Sequence, residues 1–123
     1  MSQLNLTELQ DQLNHFSKER DWDQFHTVKN LLMALSVEVA ELVEIFQWLN
    51  VEEAADVKNN PELKLKAQEE VADVFIYLMR VISKLEIDLP HAIDDKMKKN
   101  ALKYPVELSK GLSKKYTELK SSK

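Results

Sequence analysis

The residues of this sequence best placed to do chemistry are two acidic pairs, Glu38-x-x-Glu41 and, after 28 intervening residues, Glu70-x-x-Asp73. On a helix, residues three apart project from one face about one turn apart, so each pair offers two neighbouring carboxylates. Acidic helix residues usually form a solvated face, and Glu52, Glu53, Glu62 and Glu118 fit that description. Glu38 does not. At 100° per residue it falls inside the apolar stripe of Leu31, Leu35, Leu42, Ile45 and Leu49, with Glu41 at the stripe's edge. Glu70 and Asp73 interrupt a second stretch, residues 71–79, that is apolar nearly all round and predicts a helix buried on most sides. An unpaired buried carboxylate costs several kcal/mol and takes up a proton instead. Arg80 lies on the same side of its helix as Asp73 and can serve one carboxylate, but not four. A divalent cation is the economical partner for all of them. Four carboxylates without Cys or His form a hard oxygen site, suited to Mg²⁺ or Mn²⁺ and not to zinc. None of His15, His26 and His91 stands three residues after a Glu, which sets the di-iron bundles aside.

Caps and periodicity predict the elements that position these residues. Thr7 with Gln10 is a capping-box pattern for a first helix running to about Arg20. Residues 21–26 break the apolar period and hold Trp22, Phe25 and His26. Thr27 then caps a second helix ending near Leu49. Asn50 with Glu53 is a further capping box, for a short helical turn over residues 51–58. Asn60 before Pro61 starts a third long helix, to about Glu86. Asp88 and Pro90 open a fourth, which stops before Pro105 because a following proline pushes Tyr104 out of the α region. Connections this short favour antiparallel neighbours, so the expected fold is all-α, an antiparallel four-helix bundle core over residues 1–105. Residues 106–123, with the single glycine Gly111, form a tail that is partly helical or frayed.

Composition agrees with this architecture and narrows the function classes. At 123 residues there is room for one domain, and one Gly and three Pro leave a strongly helical chain. Against 17 basic residues stand 21 acidic ones, a formal net charge of −4, which argues against nucleic-acid polymers as partners. A single nucleotide stays compatible, because bound metal inverts the local sign. No cysteine is present, so thiolate metal sites and Cys nucleophiles are excluded. No apolar run reaches the length of a membrane span and no signal-peptide pattern opens the chain, so the expectation is a soluble, cytoplasmic protein.

The acidic pairs sit in a recognisable context. Glu19-Arg20-Asp21-Trp22-x-x-Phe25-His26 is followed by Asn30-Leu31 and by Glu38-Val39-x-Glu41-Leu42-x-Glu44-x-Phe46-Gln47-Trp48. Glu70-Val71-x-Asp73-Val74-x-Ile76-Tyr77-Leu78, Asp88-Leu89-Pro90 and Lys96-Met97-x-x-Asn100-x-x-x-Tyr104-Pro105 continue the series. From about Leu9 to Pro105 the sequence resembles the MazG-like all-α NTP pyrophosphohydrolases, in their dCTP pyrophosphatase-like branch. The resemblance implies hydrolysis of an NTP or dNTP to monophosphate and pyrophosphate by a dimer or a dimer of dimers. It implies Glu38, Glu41, Glu70 and Asp73 as Mg²⁺ ligands. It places Trp22, Trp48 and Tyr77 in the nucleotide pocket, and Lys96, Asn100 and Lys103 near sugar or phosphates. One departure concerns base choice: some relatives carry a histidine where this chain has Leu13.

Several of these residues also admit plainer readings. Tyr77 fits a helix core, and Lys96, Lys98, Lys99 and Lys103 fit a solvated face. Phe16, Phe25, Phe46, Phe75 and the methionines fit packing, Met1 being the initiator, and His26 and His91 fit structural roles. For the proton taken from water, Glu41 is the first choice and Glu44, three residues on, the alternative. Two rival functions remain: the same site acting on dUTP or phosphoribosyl-ATP, and a non-catalytic helical interaction module. The second leaves Glu38 in its apolar stripe without a reason.

Overall fold

Short polar side chains set the start of every long helix. In the computed structural model, which describes residues 3–113 and 117–118, α1 spans Leu6–Glu19 and α2 spans Val28–Phe46. The short α3 covers Val51–Ala55, a 3-10 turn covers Val57–Asn59, and α4 spans Pro61–Lys84. Next come α5 at Leu89–Lys103 and the single turn α6 at Val106–Ser109. Thr27 Oγ1 accepts from the Asn30 amide at 3.2 Å. Asn50 and Glu53 form the reciprocal capping box, at 2.8 and 3.0 Å. Asn60 Oδ1 accepts from the Leu63 amide with Pro61 in the first turn, and Asp88 caps α5 through the His91 amide. Each cap satisfies an amide that the helix itself leaves without a partner.

Three boundaries differ from the sequence expectation. Asn5, not Thr7, caps α1, because its Oδ1 reaches the Glu8 amide at 3.1 Å. Gln10 is thereby released from a capping role, and its Nε2 donates to the Met79 carbonyl at 2.9 Å, tying α1 to α4. The second helix ends at Phe46, three residues early, and residues 47–49 continue as a turn. The third long helix ends at Lys84, and Glu86 takes a left-handed φ of 51° that turns the chain out of it.

The chain divides into two compact units, Met1–Glu86 and Ile87–Lys123. In the first, α2 packs along α4, α1 lies against α4, and the 3-10 turn docks on α4 through the buried Val57. Leu42 and Phe46 face Val71 and Ala67 across one groove, while Glu38 meets Glu70, so α2 and α4 run antiparallel. Leu31, Met79, Val81 and Ile82 complete the buried apolar core. Fully burying Leu31 and Met79 contributes about 1.5–3 kcal/mol each. The helix expected to be buried on most sides is so only at its end, residues 79–82. Val71 is 53% exposed, and Ile76 and Leu78 are open as well. Of the residues expected to pack, Phe16, Phe25, Met33 and Met97 are exposed.

In the second unit α5 carries the pairs Lys98–Asp94 at 2.9 Å and Lys99–Asp95 at 2.8 Å, so these two lysines belong to a solvated face. Tyr104 leaves the helix just before Pro105, as the proline requires. The expected tail begins with α6, while Met1, residues 114–116 and residues 119–123 lie outside the described residues. No helix among the described residues is long and apolar enough to cross a membrane. The expected all-helical architecture holds throughout the described residues.

Candidate active site

Antiparallel packing of α2 on α4 turns two separate i, i+3 pairs into one cluster. Glu38 and Glu41 from α2 and Glu70 from α4 each place a carboxylate oxygen within 4.8 Å of the others. Asp73, one turn beyond Glu70 and exposed, is close enough for its charge to act on both Glu38 and Glu70. The apolar stripe of α2 is half-buried or buried at Leu31, Leu35, Leu42, Ile45 and Leu49, and Glu38 is half-buried among them.

Crowding of like charges in a half-buried place has an electrostatic consequence. Burial, hydrogen bonding to Glu70 and Glu41, and the charges of Glu41 and Asp73 push the Glu38 carboxyl up from 4.5 to about 7. For Glu70 the shared hydrogen bond with Glu38 pulls down, but burial together with Glu41 and Asp73 outweighs it, and its pKa is raised. One oxygen of Glu38 and one of Glu70 are buried without a hydrogen-bond partner. Two orphaned oxygens within a group of three or four mutually repelling carboxylates are a donor set that a hard divalent cation takes. These residues therefore fit such a metal.

The recess beside the cluster, about 380 Å³, is lined by Glu41, Glu44, Ile45, Lys66, Glu69 and Glu70. Glu44 was expected here. Lys66 and Glu69 were not; the signal for them was their position one helical turn and one residue before Glu70. Lys66 sits 3.6 Å from Glu62 and brings the recess its positive charge.

The aromatic candidates lie elsewhere. Trp22 stands in the segment between α1 and α2, 43% exposed, edge-on to Phe16 with ring centroids 5.8 Å apart and tilted against His26 at 6.1 Å. Its amide donates to the Ser17 carbonyl at 2.9 Å, and Asp21 before it adopts a left-handed φ of 54°. Trp48 is 88% exposed beyond the other end of α2. Between the two tryptophans runs a 19-residue helix, about 28 Å long at 1.5 Å per residue. Within one chain they cannot line the same slot. Tyr77 is half-buried on α4, one turn from Asp73. Lys96 and Asn100 share one face of α5 in the second unit, with the partly buried Lys103 at the end of that helix.

Arg80 departs from its expected role. It is 3% exposed and turns away from the acidic cluster: Nη2 lies 2.8 Å from Asp23 Oδ1, and Nη1 bonds Asn14 Oδ1. Lys84 stands 3.6 Å from the same Asp23 oxygen. Burial raises the Asp23 carboxyl, but hydrogen bonding to Arg80 and the charges of Lys84 and Arg80 outweigh it and hold the pKa low. His26 Nδ1 lies 3.4 Å from both Arg80 Nη2 and Ser17 Oγ, and its pKa is lowered by burial and by the Arg80 charge. This network was legible only as one cation, Arg80, set within an apolar run.

An all-helical chain that gathers i, i+3 acid pairs from two antiparallel helices presents a carboxylate cluster suited to a hard divalent cation. A MazG-like family model matches residues 33–119, and the chain belongs to that family. It is 46% identical over 104 residues to dCTP pyrophosphatase 1 of Rattus norvegicus, covering 85% of this chain and 61% of the relative. The Homo sapiens protein of the same name is 45% identical, with the same coverage. The chain thus spans about three-fifths of the length of these curated relatives. Among solved structures it is similar to a pyrophosphatase from Archaeoglobus fulgidus, with a TM-score of 0.75 and 40% identity over 85% of this chain and 96% of that one.

Proposed function

We propose that this chain is a Mg²⁺-dependent nucleoside triphosphate pyrophosphohydrolase that converts dCTP, or a 5-modified dCTP, to monophosphate and pyrophosphate. The observation that carries the reading is the cluster of half-buried Glu38 and Glu70 with exposed Glu41, with its two orphaned oxygens, in a member of the MazG-like family. Similarity to dCTP pyrophosphatases supports the choice of substrate. Glu38, Glu41, Glu70 and Asp73 hold Mg²⁺, for which Mn²⁺ can substitute. A bound cation would supply positive charge against the phosphates and lower the pKa of the water that cleaves the α–β phosphoanhydride. Glu41, exposed where Glu38 and Glu70 are half-buried, takes the proton from that water. Glu44, on the same recess, is the alternative base.

Trp22, Trp48 and Tyr77 hold base and sugar, while Lys96, Asn100 and Lys103 contact sugar or phosphates. Base stacking on an aromatic face is worth about 1–3 kcal/mol. Because Trp22 and Trp48 flank opposite ends of α2, a slot using both takes one from each of two copies. The exposed apolar residues Val43, Val71 and Leu78 supply surface for that assembly, a homodimer or a tetramer. The cellular role is clearance of unwanted nucleotides from the cytoplasmic pool, without a nucleic-acid polymer or a membrane as partner.

Purified protein with Mg²⁺, presented with each common NTP and dNTP and with 5-methyl-dCTP, tests this through kcat/KM and product analysis. Highest kcat/KM for dCTP or its 5-methyl form, with pyrophosphate released, is the expected outcome. A preference for ribonucleotides or purines overturns the substrate, and orthophosphate as the only inorganic product overturns the reaction.

A further inference from the structure

The buried arginine of α4 has no part in the acidic cluster, yet it lies on the same helix and the same face. Asp73 and Arg80 are seven residues apart, two turns and about 10 Å along the axis. At its own level Arg80 reaches out of α4 to two other elements, Asn14 on α1 and Asp23 in the segment between α1 and α2. Asp23 immediately follows Trp22 in the chain. The segment is also closed on itself: the Trp22 carbonyl accepts from the amides of Phe25 at 2.8 Å and His26 at 3.1 Å. Asn30 Nδ2 donates to the Phe25 carbonyl at 3.0 Å, which ties the segment to the first turn of α2. Holding Asp23 therefore holds Trp22.

Two cations face Asp23, and they act differently. Lys84, at 3.6 Å, contributes charge without fixing direction. The planar guanidinium of Arg80 bonds Asp23 and Asn14 with separate nitrogens, so it sets the orientation of the segment as well as its attraction. Arg80 is itself nearly without freedom, its side chain 4% exposed between buried Met79 and Val81.

We propose that Arg80 is a positioning residue of the nucleotide site: by gripping Asp23 it registers the Trp22 segment against α4, the helix that also carries Glu70 and Asp73. One helix thereby sets the place of the metal-binding acids and of the stacking aromatic together. The proposal rests on the reading of Trp22 as a nucleotide-stacking residue, and its test separates the two.

In a Trp48→Phe background Trp22 is the single tryptophan, and acrylamide quenching without nucleotide reports its accessibility. Arg80→Ala and Asp23→Asn should each raise the quenching constant about twofold while far-UV helicity is retained, because a locally released segment admits solvent. Arg80→Lys, which keeps the charge and loses the fork, should fall between wild type and Arg80→Ala. With Trp48 restored, the same variants should raise KM for dCTP about tenfold with kcat within about threefold, the pattern of lost binding rather than lost chemistry. The Mg²⁺ concentration for half-maximal rate should not move. Should Arg80→Ala fail to fold, Asp23→Asn, whose side chain is 43% exposed, carries the test. Unchanged quenching overturns the proposal, as does a fall in kcat at constant KM. A wild type that hydrolyses no nucleoside triphosphate overturns the functional reading instead, while quenching still decides what Arg80 does.

Discussion

Glu38 is the residue at which fold and function oppose each other most directly. Its carboxyl, at about 7 in the folded chain against 4.5 ordinarily, favours the protonated form in the native state. The sign of the linkage follows: this group stabilises the metal-free fold fully below about pH 4.5 and loses that contribution as pH rises through about 7. A divalent cation held by Glu38, as proposed, would need the ionised form, so its binding would release a proton near neutrality. The melting temperature of EDTA-treated protein should therefore fall between mildly acid and mildly alkaline buffer, and Mg²⁺ should close the gap. Glu38→Gln should remove most of the pH dependence; a melting temperature that ignores both pH and Mg²⁺ would refute the metal assignment. On the proposed reading, Glu41→Gln keeps the shape and removes both a ligand charge and the proton acceptor. It should cost at least about 100-fold in rate, or ~2.7 kcal/mol of transition-state stabilisation, with the fold preserved. Unfolding of that variant, with activity per folded molecule intact, would make the cluster structural.

At the scale of elements, α4 is the reference frame. It carries Glu70 and Asp73, receives α1 through the Gln10–Met79 bond, and anchors the Trp22 segment through Arg80. Its own beginning is set by the Asn60 cap and Pro61, ten residues before Glu70. Asn60→Ala removes the side-chain acceptor for the Leu63 amide and should cost about 1 kcal/mol in urea unfolding. The Mg²⁺-dependent rise in melting temperature should persist, because the lost cap is nearly three turns from the acids. Loss of the Mg²⁺ effect in this variant would mean that the cluster depends on the whole length of the helix. Cap residues of this kind were legible in the sequence at Thr27, Asn50, Asn60 and Asp88, since each competes only for amides three residues away. At Asn5 the same local rule applied, and the nearby Thr7–Gln10 pattern concealed it.

For the molecule as a whole, the main feature is how little apolar surface one chain buries. Val43, Val71, Leu32, Val37 and Leu78 are all more than 40% exposed, and Leu42, Val43, Phe46, Gln47, Ala67 and Val71 line an apolar groove of about 520 Å³ on the α2–α4 pair. Contiguous apolar patches of this kind mark contact surfaces for proteins, membranes or ligands, and the proposed assembly uses this one. Assembly through that groove should make the melting temperature rise with protein concentration, by mass action. Val71→Asp, which puts a charge in the groove, should shift sedimentation to the monomer and abolish activity if the nucleotide slot spans two copies. A monomeric wild type at micromolar concentration would refute the two-copy slot.

Helix number and type, most caps and the two acid pairs are properties of short stretches of chain, so the sequence alone determined them. Glu38 stood out because a charge in an apolar stripe breaks a local period, and that period is set by backbone geometry. The MazG-like resemblance extended the reading to substrate and pocket. Tertiary structure decided what depends on residues distant in sequence. Antiparallel packing of α2 on α4 brought Glu70 to Glu38 and Glu41. The choice of Arg80 between Asp73 on its own helix and Asp23, 57 residues away, was likewise settled by packing. The i, i+7 geometry of one helix put Arg80 in line with Asp73, but α1 and the Trp22 segment offered two acceptors together, Asn14 and the Asp23 carboxylate. Periodicity states which way a side chain points; which partner waits there is a property of the assembled fold.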